Sequence, residues 1–285
     1  MPAAWIVFFD SSMKGLPLLA VTLSIVFVSC KQNNIKNTDN VPEGYQLVWS
    51  DEFNVDGRLD DQMWKYELGY VRNHEPQSYE QSNAVCKNGK LVIEARIEDD
   101  GKLTSASIIS KKSFIYGRIE ASMKIPMGPS AWPAFWMLGS TRPWPDGGEI
   151  DIMEFYRYGE NLIPSLLANT FWTAENGIDV IDDTGTVPVS EVAAGNPEWA
   201  EQFHVWRMDW DENWIKLYVD DTLVNSTDLS GTLNRGGDHV GENPFHLPQE
   251  IKLNLALRGR ENDPVVEFAF PMQFEIDYVR VYERL

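Results

Sequence analysis

Three acidic residues lie close together in the segment GEIDIMEF, at Glu149, Asp151 and Glu154. Ile150 and Ile152 alternate with the first two acids, and this alternation predicts a β-strand. Because the side chains of a strand alternate between its faces, Glu149 and Asp151 share one face and Glu154 falls on the other. One extra residue in the strand, a β-bulge, would bring Glu154 back beside the other two.

Acids that share a buried face repel one another and lose hydration, so a fold tolerates them mainly where they do chemistry. A retaining glycosidase needs two carboxyl groups about 5–5.5 Å apart, one to attack the anomeric carbon and one to protonate the leaving oxygen. A third carboxyl group can hydrogen-bond the nucleophile and tune the coupled titration. The alternatives are a solvated acidic strand and a calcium site. The apolar residues between the acids favour catalysis over simple solvation.

Aromatic residues surround the acidic segment in sequence, at Trp132, Trp136, Trp144 and Tyr156. Sugar rings stack on aromatic side chains through their apolar faces, much as bases do, although a single aromatic is more often part of a core. Trp132 and Trp136 are four residues apart and share a strand face. If their strand neighbours the acidic one, both rings line one wall of a cleft.

Hydrogen-bonding side chains recur at every second position of RNHEPQSY, at Asn73, Glu75 and Gln77. If this segment is extended, the three side chains project the same way and could read sugar hydroxyls, and the alternative is an ordinary polar loop. His204, in FHVWRMDW, is predicted to be a hydrogen-bonded core residue rather than a catalyst. The four His and two Cys show no metal-ligand spacing, so catalytic zinc is not expected.

The elements that must position these residues are strands. From about Val41 onward, short alternating or apolar runs are separated by clusters of Gly, Pro, Asn and Asp. This pattern predicts an all-β sandwich or barrel, with one short helix within 189–203. A Gly-rich phosphate loop between a strand and a helix is not found, which argues against a nucleotide enzyme. The net charge of −19 argues against nucleic acid and anionic membrane surfaces as partners.

The first 30 residues predict a secretion leader rather than part of the fold. A short charged segment at Met13-Lys14 precedes the apolar run LPLLAVTLSIVFVS, which ends at Cys30 in a lipobox-like FVSC. Cys30 is therefore predicted to be the lipidated first residue of a mature lipoprotein, and Met13 is an alternative start of translation. A simple cleaved signal and an uncleaved anchor are the alternatives. Residues 31–43 are predicted to be a flexible tether and 44–285 the folded domain.

The segments LVWSDEF, YGRIEASMKIP, WPAFWMLG, WPDGGEIDIMEF and FEIDYVRVYE follow one another in the order and spacing of a known family. Over residues 45–284 the chain resembles glycoside hydrolase family 16, and within it the laminarinase-like endo-β-glucanases of bacteria. The resemblance implies a β-jelly-roll of two curved antiparallel sheets with a concave substrate groove. It also implies that Glu149 is the nucleophile, Glu154 the general acid/base and Asp151 the helper.

Further expectations come from the same resemblance. Trp132 and Trp136 would stack on sugars in the donor subsites, and Asn73, Glu75 and Gln77 match a hydroxyl-binding segment of many relatives. A structural Ca²⁺ on the convex side would be held by backbone carbonyls and one aspartate, which here would be Glu52, Gly89 and Asp277. No organic cofactor is expected. The polysaccharide would be the partner, and the protein would be a monomer that meets the membrane only through its lipid anchor.

Two departures from the laminarinase pattern bear on substrate. Many laminarinases have an arginine where this chain has Ser107, and a glycine pair where this chain has Arg258 and Arg260. Arginines near a groove could bind sulfate, although solvation or pairing with Glu261 and Asp263 is the favoured interpretation.

The resulting hypothesis is a secreted, lipid-anchored endo-glycanase, in the periplasm or on the outer-membrane surface. It would hydrolyse β-1,3- or mixed β-1,3/1,4-glucan with retention of configuration. The alternatives are a porphyranase or agarase acting on algal galactan, whose family members share the same bulge, and a non-catalytic surface glycan-binding lipoprotein. Transglycosylation is a further possibility, because sugar can replace water as the acceptor from the same covalent intermediate.

Overall fold

The structure is a computed structural model that describes residues 41–159, 161–258 and 269–285. Contacts between Cα atoms divide the chain into two units, Met1–Asn33 and Asn34–Leu285. The predicted leader, the lipidation site Cys30 and most of the predicted tether lie outside the described residues, as does Arg260.

Strands dominate the described part of the second unit, as the short alternating runs predict. In chain order they are β1 (Tyr45–Asp51), β2 (Trp64–Glu67), β3 (Ser78–Tyr79), β4 (Ala84–Cys86), β5 (Leu91–Ile97), β6 (Leu103–Ser105), β7 (Ser107–Phe114), β8 (Gly117–Lys124), β9 (Ala131–Gly139), β10 (Glu149–Tyr158), β11 (Ile163–Thr173), β12 (Val180–Pro188), β13 (His204–Trp210), β14 (Trp214–Val219), β15 (Thr222–Asp228), β16 (Gln249–Leu257) and β17 (Met272–Arg284).

The strands form two sheets that pack face to face, and the predicted jelly-roll sandwich is confirmed. One sheet has the order β15-β14-β13-β8-β17-β5-β6-β3, with β1 added to β17 and β4 to β5. The other has the order β12-β11-β10-β9-β16-β7-β2. Among the described strands the pairs are antiparallel except for β3 with β6. The long antiparallel ladders place residues distant in sequence side by side.

The core lies between the sheets and is filled by the inward-facing residues of both. Every second residue of β13 is buried and those between are half-buried, as alternation predicts for a strand with only one face on the core. Strand β16 is buried on both faces, because side chains from the segment before and within β3 cover its outer face. We call the outer face of the seven-stranded sheet the groove face; it carries Glu149, Asp151 and Glu154.

Helices are short in the described residues. The segment predicted to hold one helix contains a single turn of α-helix, α1 (Val189–Val192), and a 3₁₀ turn at Trp199–Glu201. Within the residues that the structure describes, no helix has the length and apolar character needed to cross a membrane.

His204 begins β13 and is 8% exposed. Its Nδ1 lies 2.8 Å from Asp220 Oδ2, its Nε2 lies 2.9 Å from the Trp199 carbonyl oxygen, and its ring stacks on the Trp199 indole. The prediction of a hydrogen-bonded core histidine is confirmed, because both ring nitrogens are engaged within the fold.

Candidate active site

The three acids lie on β10, which is interrupted by a bulge. Pairing with β11 shifts register between Asp151 and Glu154, and pairing with β9 shifts between Asp151 and Met153. This is the β-bulge that the parity of the acids predicts. It brings Glu154 to the same side as the first two acids. Asp151 lies opposite Trp136 on β9 and opposite Asn169 on β11.

Asp151 is the link between the other two acids. Its carboxyl group hydrogen-bonds both Glu149 and Glu154, and it is 3% exposed, whereas both glutamates are half-buried. The buried carboxyl group therefore lies between two carboxyl groups that the groove can reach. This is the arrangement that a nucleophile and an acid/base on opposite sides of a scissile bond require.

Hydrogen-bond donors hold each outer acid from its own side. Trp132 Nε1 donates to Glu154 Oε1 at 2.7 Å. The Trp144 indole hydrogen-bonds Glu149. Each outer carboxyl group is therefore held by its own indole as well as by Asp151. The two indoles thus belong to the candidate site through polar contacts, besides any stacking on sugar.

Burial raises the pKa values of all three acids, and repulsion from their acidic neighbours adds to the rise for Glu149 and Asp151. Burial and the nearby charge of Glu154 raise the pKa of Glu149 to about 7. Burial and both neighbouring glutamates raise the pKa of Asp151 well above its usual range. Burial also raises the pKa of Glu154, against the hydrogen bond from Trp132. The three acids therefore do not all ionise near neutral pH, and the site keeps a proton that a general acid can donate.

One end of the groove face carries an aromatic pair with a cation. The rings of Trp132 and Tyr156 meet edge to face with centroids 5.6 Å apart. The guanidinium of Arg258 lies 5.0 Å from the Tyr156 ring centroid, and its Nη1 donates to the Arg157 carbonyl oxygen at 2.9 Å. Arg258 is therefore next to the candidate site rather than simply solvated. A pairing of Arg258 with Glu261 or Asp263 concerns residues outside the described part of the chain.

Trp136 packs against cations. It is 7% exposed, and the guanidinium carbon of Arg72 and the Nζ of Lys252 lie 5.1 Å and 4.4 Å from its ring centroid. Both distances fall in the cation–π range. Its Nε1 donates to Asn254 Oδ1 at 2.7 Å. The stacking of Trp136 on sugar stays a prediction, because little of the ring is exposed in this structure.

Arg72 and Lys252 also belong to a largely buried charged cluster. We call Glu67, Arg72, Ser107 and Lys252 the Glu67 cluster. The Glu67 carboxylate accepts from Lys252 Nζ at 2.9 Å, from Ser107 Oγ at 2.6 Å and from Arg72. Although burial acts to raise it, the charges of Arg72 and Lys252 lower the pKa of Glu67 to about 2. Ser107, one of the two departures, thus serves as a donor to this carboxylate.

The segment with Asn73, Glu75 and Gln77 is not extended, so the parity argument for it is wrong. Asn73 has a φ of +59° and His74 a φ of +53°, which makes this a turn. The three side chains nevertheless meet, because Asn73 Nδ2 and Gln77 Nε2 donate to the two oxygens of Glu75 at 3.2 and 2.8 Å. Local hydrogen bonds, and not strand alternation, bring them together.

This turn is joined to the groove face by further hydrogen bonds. The backbone N–H of Leu257 donates to Gln77 Oε1 at 3.0 Å, and Asn254 Nδ2 donates to the Tyr79 hydroxyl at 3.2 Å. The Tyr79 hydroxyl donates to Glu75 at 3.0 Å. The negative charge of Glu75 in turn contributes to the raised pKa of Glu154. The turn is thus placed over β16 and close to the acids.

Several polar residues of this site were not among the sequence predictions. They are Glu67, Arg72, Tyr79, Asn169, Lys252 and Asn254. A usable signal existed for some of them, since Lys252 and Asn254 interrupt the apolar run IKLNLAL two residues apart, on one strand face. Asn169 likewise interrupts the apolar run LLANTFW. A polar residue inside a strand buried on both faces points to a site or to a buried network.

The predicted calcium ligands lie near one another along the backbone. Asp51 pairs with Val279 and Leu91 with Ile276. Glu52 directly after β1, Gly89 in the β4–β5 turn and Asp277 in β17 therefore fall at neighbouring positions. The carboxylate of Glu52 is held by Arg280 through two hydrogen bonds of 2.8 and 2.9 Å, which leaves its carbonyl as the predicted ligand. One carboxylate and two carbonyls are oxygen donors that suit Ca²⁺.

The predicted Ca²⁺ site differs from a cluster of metal-binding side chains, because two of its three ligands are backbone carbonyls. In residues 41–159, 161–258 and 269–285, no group of three or more His, Cys, Asp or Glu side chains is placed to hold a metal ion. A site built from two carbonyls and one carboxylate would not form such a group. Calcium therefore stays a prediction.

Known proteins resemble this chain over most of its length. The family profile for glycosyl hydrolases family 16 matches residues 72–278. A "Beta-glucanase" of Rhodothermus marinus is 34% identical over 276 residues, which cover 90% of this chain and 91% of that protein. The solved laminarinase of Rhodothermus marinus superposes with a TM-score of 0.70 at 33% identity, over 85% of this chain and 98% of the other.

A further solved structure is similar to a comparable degree. It belongs to a report that prominent members of the human gut microbiota express endo-acting O-glycanases to initiate mucin breakdown. It superposes with a TM-score of 0.72 at 32% identity, over 86% of this chain and 92% of the other.

Proposed function

Since this chain belongs to glycosyl hydrolases family 16, we propose that it is a retaining endo-glycoside hydrolase acting on β-1,3- or mixed β-1,3/1,4-glucan. The observation that carries the proposal is the bulged strand β10, which gathers three hydrogen-bonded carboxyl groups on the groove face. Similarity to a β-glucanase and to solved laminarinases supports glucan as the substrate. Hydrolases of this family need no organic cofactor.

The first chemical step is assigned to the two outer acids. The ionised carboxylate of Glu149 attacks the anomeric carbon and forms a glycosyl ester. As the glycosidic C–O bond breaks, the proton on the Glu154 carboxyl group moves to the leaving oxygen. Asp151 donates a hydrogen bond to Glu149 and keeps the nucleophile oriented. Its own raised pKa favours the protonated form that this donation requires.

The second step reverses the role of Glu154. Now ionised, it takes a proton from a water molecule, whose oxygen attacks the anomeric carbon of the glycosyl ester. The C–O bond to Glu149 breaks, and the nucleophile returns as a carboxylate. Two inversions at the same carbon give net retention of configuration. Capture of the ester by a sugar hydroxyl in place of water would give transglycosylation.

A side-by-side substrate panel tests this function. Purified protein is incubated with laminarin, lichenan, agarose, porphyran and mucin O-glycans, and the released reducing ends are sized by chromatography. We expect internal cleavage of laminarin or lichenan, with oligosaccharides of several sizes appearing early. Cleavage of porphyran, agarose or mucin O-glycans without cleavage of either glucan would contradict the glucan assignment. Tight binding of a glycan with no cleavage of any substrate would instead indicate a non-catalytic glycan-binding protein.

We also propose that the protein is secreted and held at a membrane through lipid on Cys30, in the periplasm or on the outer-membrane surface. The lipobox-like FVSC after an apolar run supports this, as does the polar segment before the domain. We expect Cys30→Ser to release the protein from the membrane fraction of a bacterial host that processes lipoproteins. Retention of the variant in that fraction would argue for an uncleaved anchor. A monomeric catalytic domain is part of the same proposal, and sedimentation of residues 44–285 tests it.

A structural Ca²⁺ at Glu52, Gly89 and Asp277 is proposed as well. The neighbouring backbone positions of these residues support it, and the ion would tie β1 and the β4–β5 turn to β17. It would take no part in the chemistry. We expect a chelator to lower Tm and added Ca²⁺ to restore it, whereas the Asp277→Asn variant should respond weakly to either. If neither the chelator nor added Ca²⁺ changes the Tm of the unaltered protein, the proposed Ca²⁺ site is contradicted.

A further inference from the structure

Asn169 joins two of the three acids through a single amide group. It lies on β11 and is 2% exposed. Its Nδ2 donates to Asp151 Oδ2 at 2.9 Å and to Glu154 Oε2 at 3.0 Å. Both hydrogens of the amide nitrogen are thereby committed to carboxyl groups of the candidate site.

The other half of the same amide is left without a partner. Asn169 Oδ1 is buried and accepts no hydrogen bond from the described residues. A buried acceptor of this kind disfavours folding, so its presence in a native structure calls for an explanation. Turning the amide over would point Oδ1 at two carboxyl oxygens. The two carboxyl oxygens that accept from Nδ2 therefore favour this orientation of Asn169.

The two oxygens of Glu154 consequently have different surroundings. Oε1 accepts from the indole of Trp132, which is half-buried on the groove face. Oε2 accepts from Asn169, which is buried on the neighbouring strand β11 and also donates to Asp151. From the greater exposure of Trp132 we infer that Oε1 is the oxygen on the side that a bound polysaccharide reaches.

We propose that Asn169 is a positioning residue for the acid/base step, which rests on the role of Glu154 in the proposed function. By holding Oε2, Asn169 leaves Oε1 as the oxygen that exchanges the proton. In the first step the proton leaves Oε1 for the glycosidic oxygen as the C–O bond to the leaving group breaks. In the second step Oε1 takes a proton from the attacking water. Oε2 remains an acceptor of the Asn169 N–H throughout.

Leaving-group dependence separates this role from a merely structural one. Laminarin needs a proton on its leaving oxygen, whereas a 2,4-dinitrophenyl glycoside of the β-1,3-linked glucose disaccharide releases a stable anion without one. We expect Asn169→Ala to lower kcat/KM on laminarin by about 10- to 100-fold, as loss of a hydrogen bond to a charged group predicts. On the dinitrophenyl glycoside we expect a change within about threefold, since no acid is needed there.

Two further variants remove the influence of shape and of strand stability. Asn169→Leu keeps the branched shape of the side chain without the donors, and it should be as impaired on laminarin as Asn169→Ala. Thr170→Val is the matched control, because Thr170 is the next residue of β11 and its hydroxyl lies 3.1 Å from that of Thr227, away from the acids. We expect Thr170→Val to leave the ratio of the two kcat/KM values unchanged, whatever its Tm.

The pH profile gives a second readout. The charge of Glu75, from the turn before β3, raises the pKa of Glu154, and a hydrogen bond from Asp151 on β10 lowers it. Glu149, also on β10, is close enough for the charge of Glu154 to raise the pKa of Glu149. An N–H that donates to a carboxylate stabilises its ionised form, so removing Asn169 raises the pKa of Glu154. The alkaline limb of kcat/KM on laminarin, which reports loss of the acid's proton, should therefore move to higher pH in Asn169→Leu.

The outcomes distinguish this inference from the proposed function. If the unaltered protein cleaves neither laminarin nor the dinitrophenyl glycoside, the glucanase function fails first. If it cleaves both and Asn169→Ala lowers both kcat/KM values by the same factor, the positioning role is wrong. Full laminarin activity in Asn169→Leu would show that Asn169 only fills space.

Discussion

The Glu149→Ser variant is expected to lose hydrolysis of laminarin and lichenan while still binding these glucans. Serine cannot form the glycosyl ester, and removal of a nucleophile from a covalent mechanism typically costs at least about 10⁴-fold in kcat. The substitution also removes one of the neighbouring acids that repel one another, so it should not destabilise the fold. Turnover is measured from reducing ends, and binding from calorimetry with a laminarin oligosaccharide.

Glu154→Gln provides the comparison for Glu149→Ser. It should also be strongly impaired on laminarin, but it should keep much of its kcat/KM on the 2,4-dinitrophenyl glycoside, because that leaving group needs no proton. Glu149→Ser should lose hydrolysis of both laminarin and the dinitrophenyl glycoside. Comparable hydrolysis of laminarin by Glu149→Ser and the unaltered protein would show that the two roles are wrongly assigned. A reversed pattern between the two variants would exchange nucleophile and acid.

The parity of Glu149, Asp151 and Glu154 is the clearest case in which sequence alone led to three-dimensional structure. A period of two fixes which residues share a strand face, and an acid on the wrong face requires either a bulge or a different fold. The same reasoning placed Trp132 and Trp136 on one face of their strand, and the structure meets the condition attached to that prediction, because β9 pairs with β10. Predictions of this kind hold where strand geometry alone decides the position of a side chain.

The reasoning failed where the chain leaves regular structure. Asn73, Glu75 and Gln77 have the spacing of a strand face, but positive φ values at Asn73 and His74 make the segment a turn. The Glu67 cluster could not be predicted from the sequence either, because its members come from β2, β7, β16 and the segment before β3. Which strands become neighbours depends on the whole sheet order, and one sequence contains no direct signal for it.

The Glu67→Gln variant is expected to unfold at a much lower temperature than the unaltered protein. Glu67 is the shared counter-ion of Arg72 and of Lys252, whose side chain is 5% exposed. Removing one partner of a buried ion pair leaves the other charge uncompensated, at a cost of about 3–5 kcal/mol. In a domain of this size that corresponds to a fall in Tm of about 6–20 °C. Glutamine keeps the shape of the glutamate side chain, so thermal unfolding at pH 7 measures the effect of removing the charge of Glu67 alone.

The matched control is Glu250→Gln, which lies on β16 two residues before Lys252. Glu250 pairs with Lys65 at 2.9 Å, but the two side chains are 25% and 45% exposed, and a surface pair contributes about 0–1 kcal/mol.

The pKa of Glu67 is about 2 in the folded protein, whereas its ordinary value is 4.5. Its ionic stabilisation is therefore complete above about pH 4.5 and is lost as pH falls toward 2. We expect the Tm gap between Glu67→Gln and the unaltered protein to narrow from pH 7 to pH 3. A gap no larger than that of Glu250→Gln, or one that does not narrow in acid, would mean that the Glu67 cluster does not hold this face of the sheet together through charge.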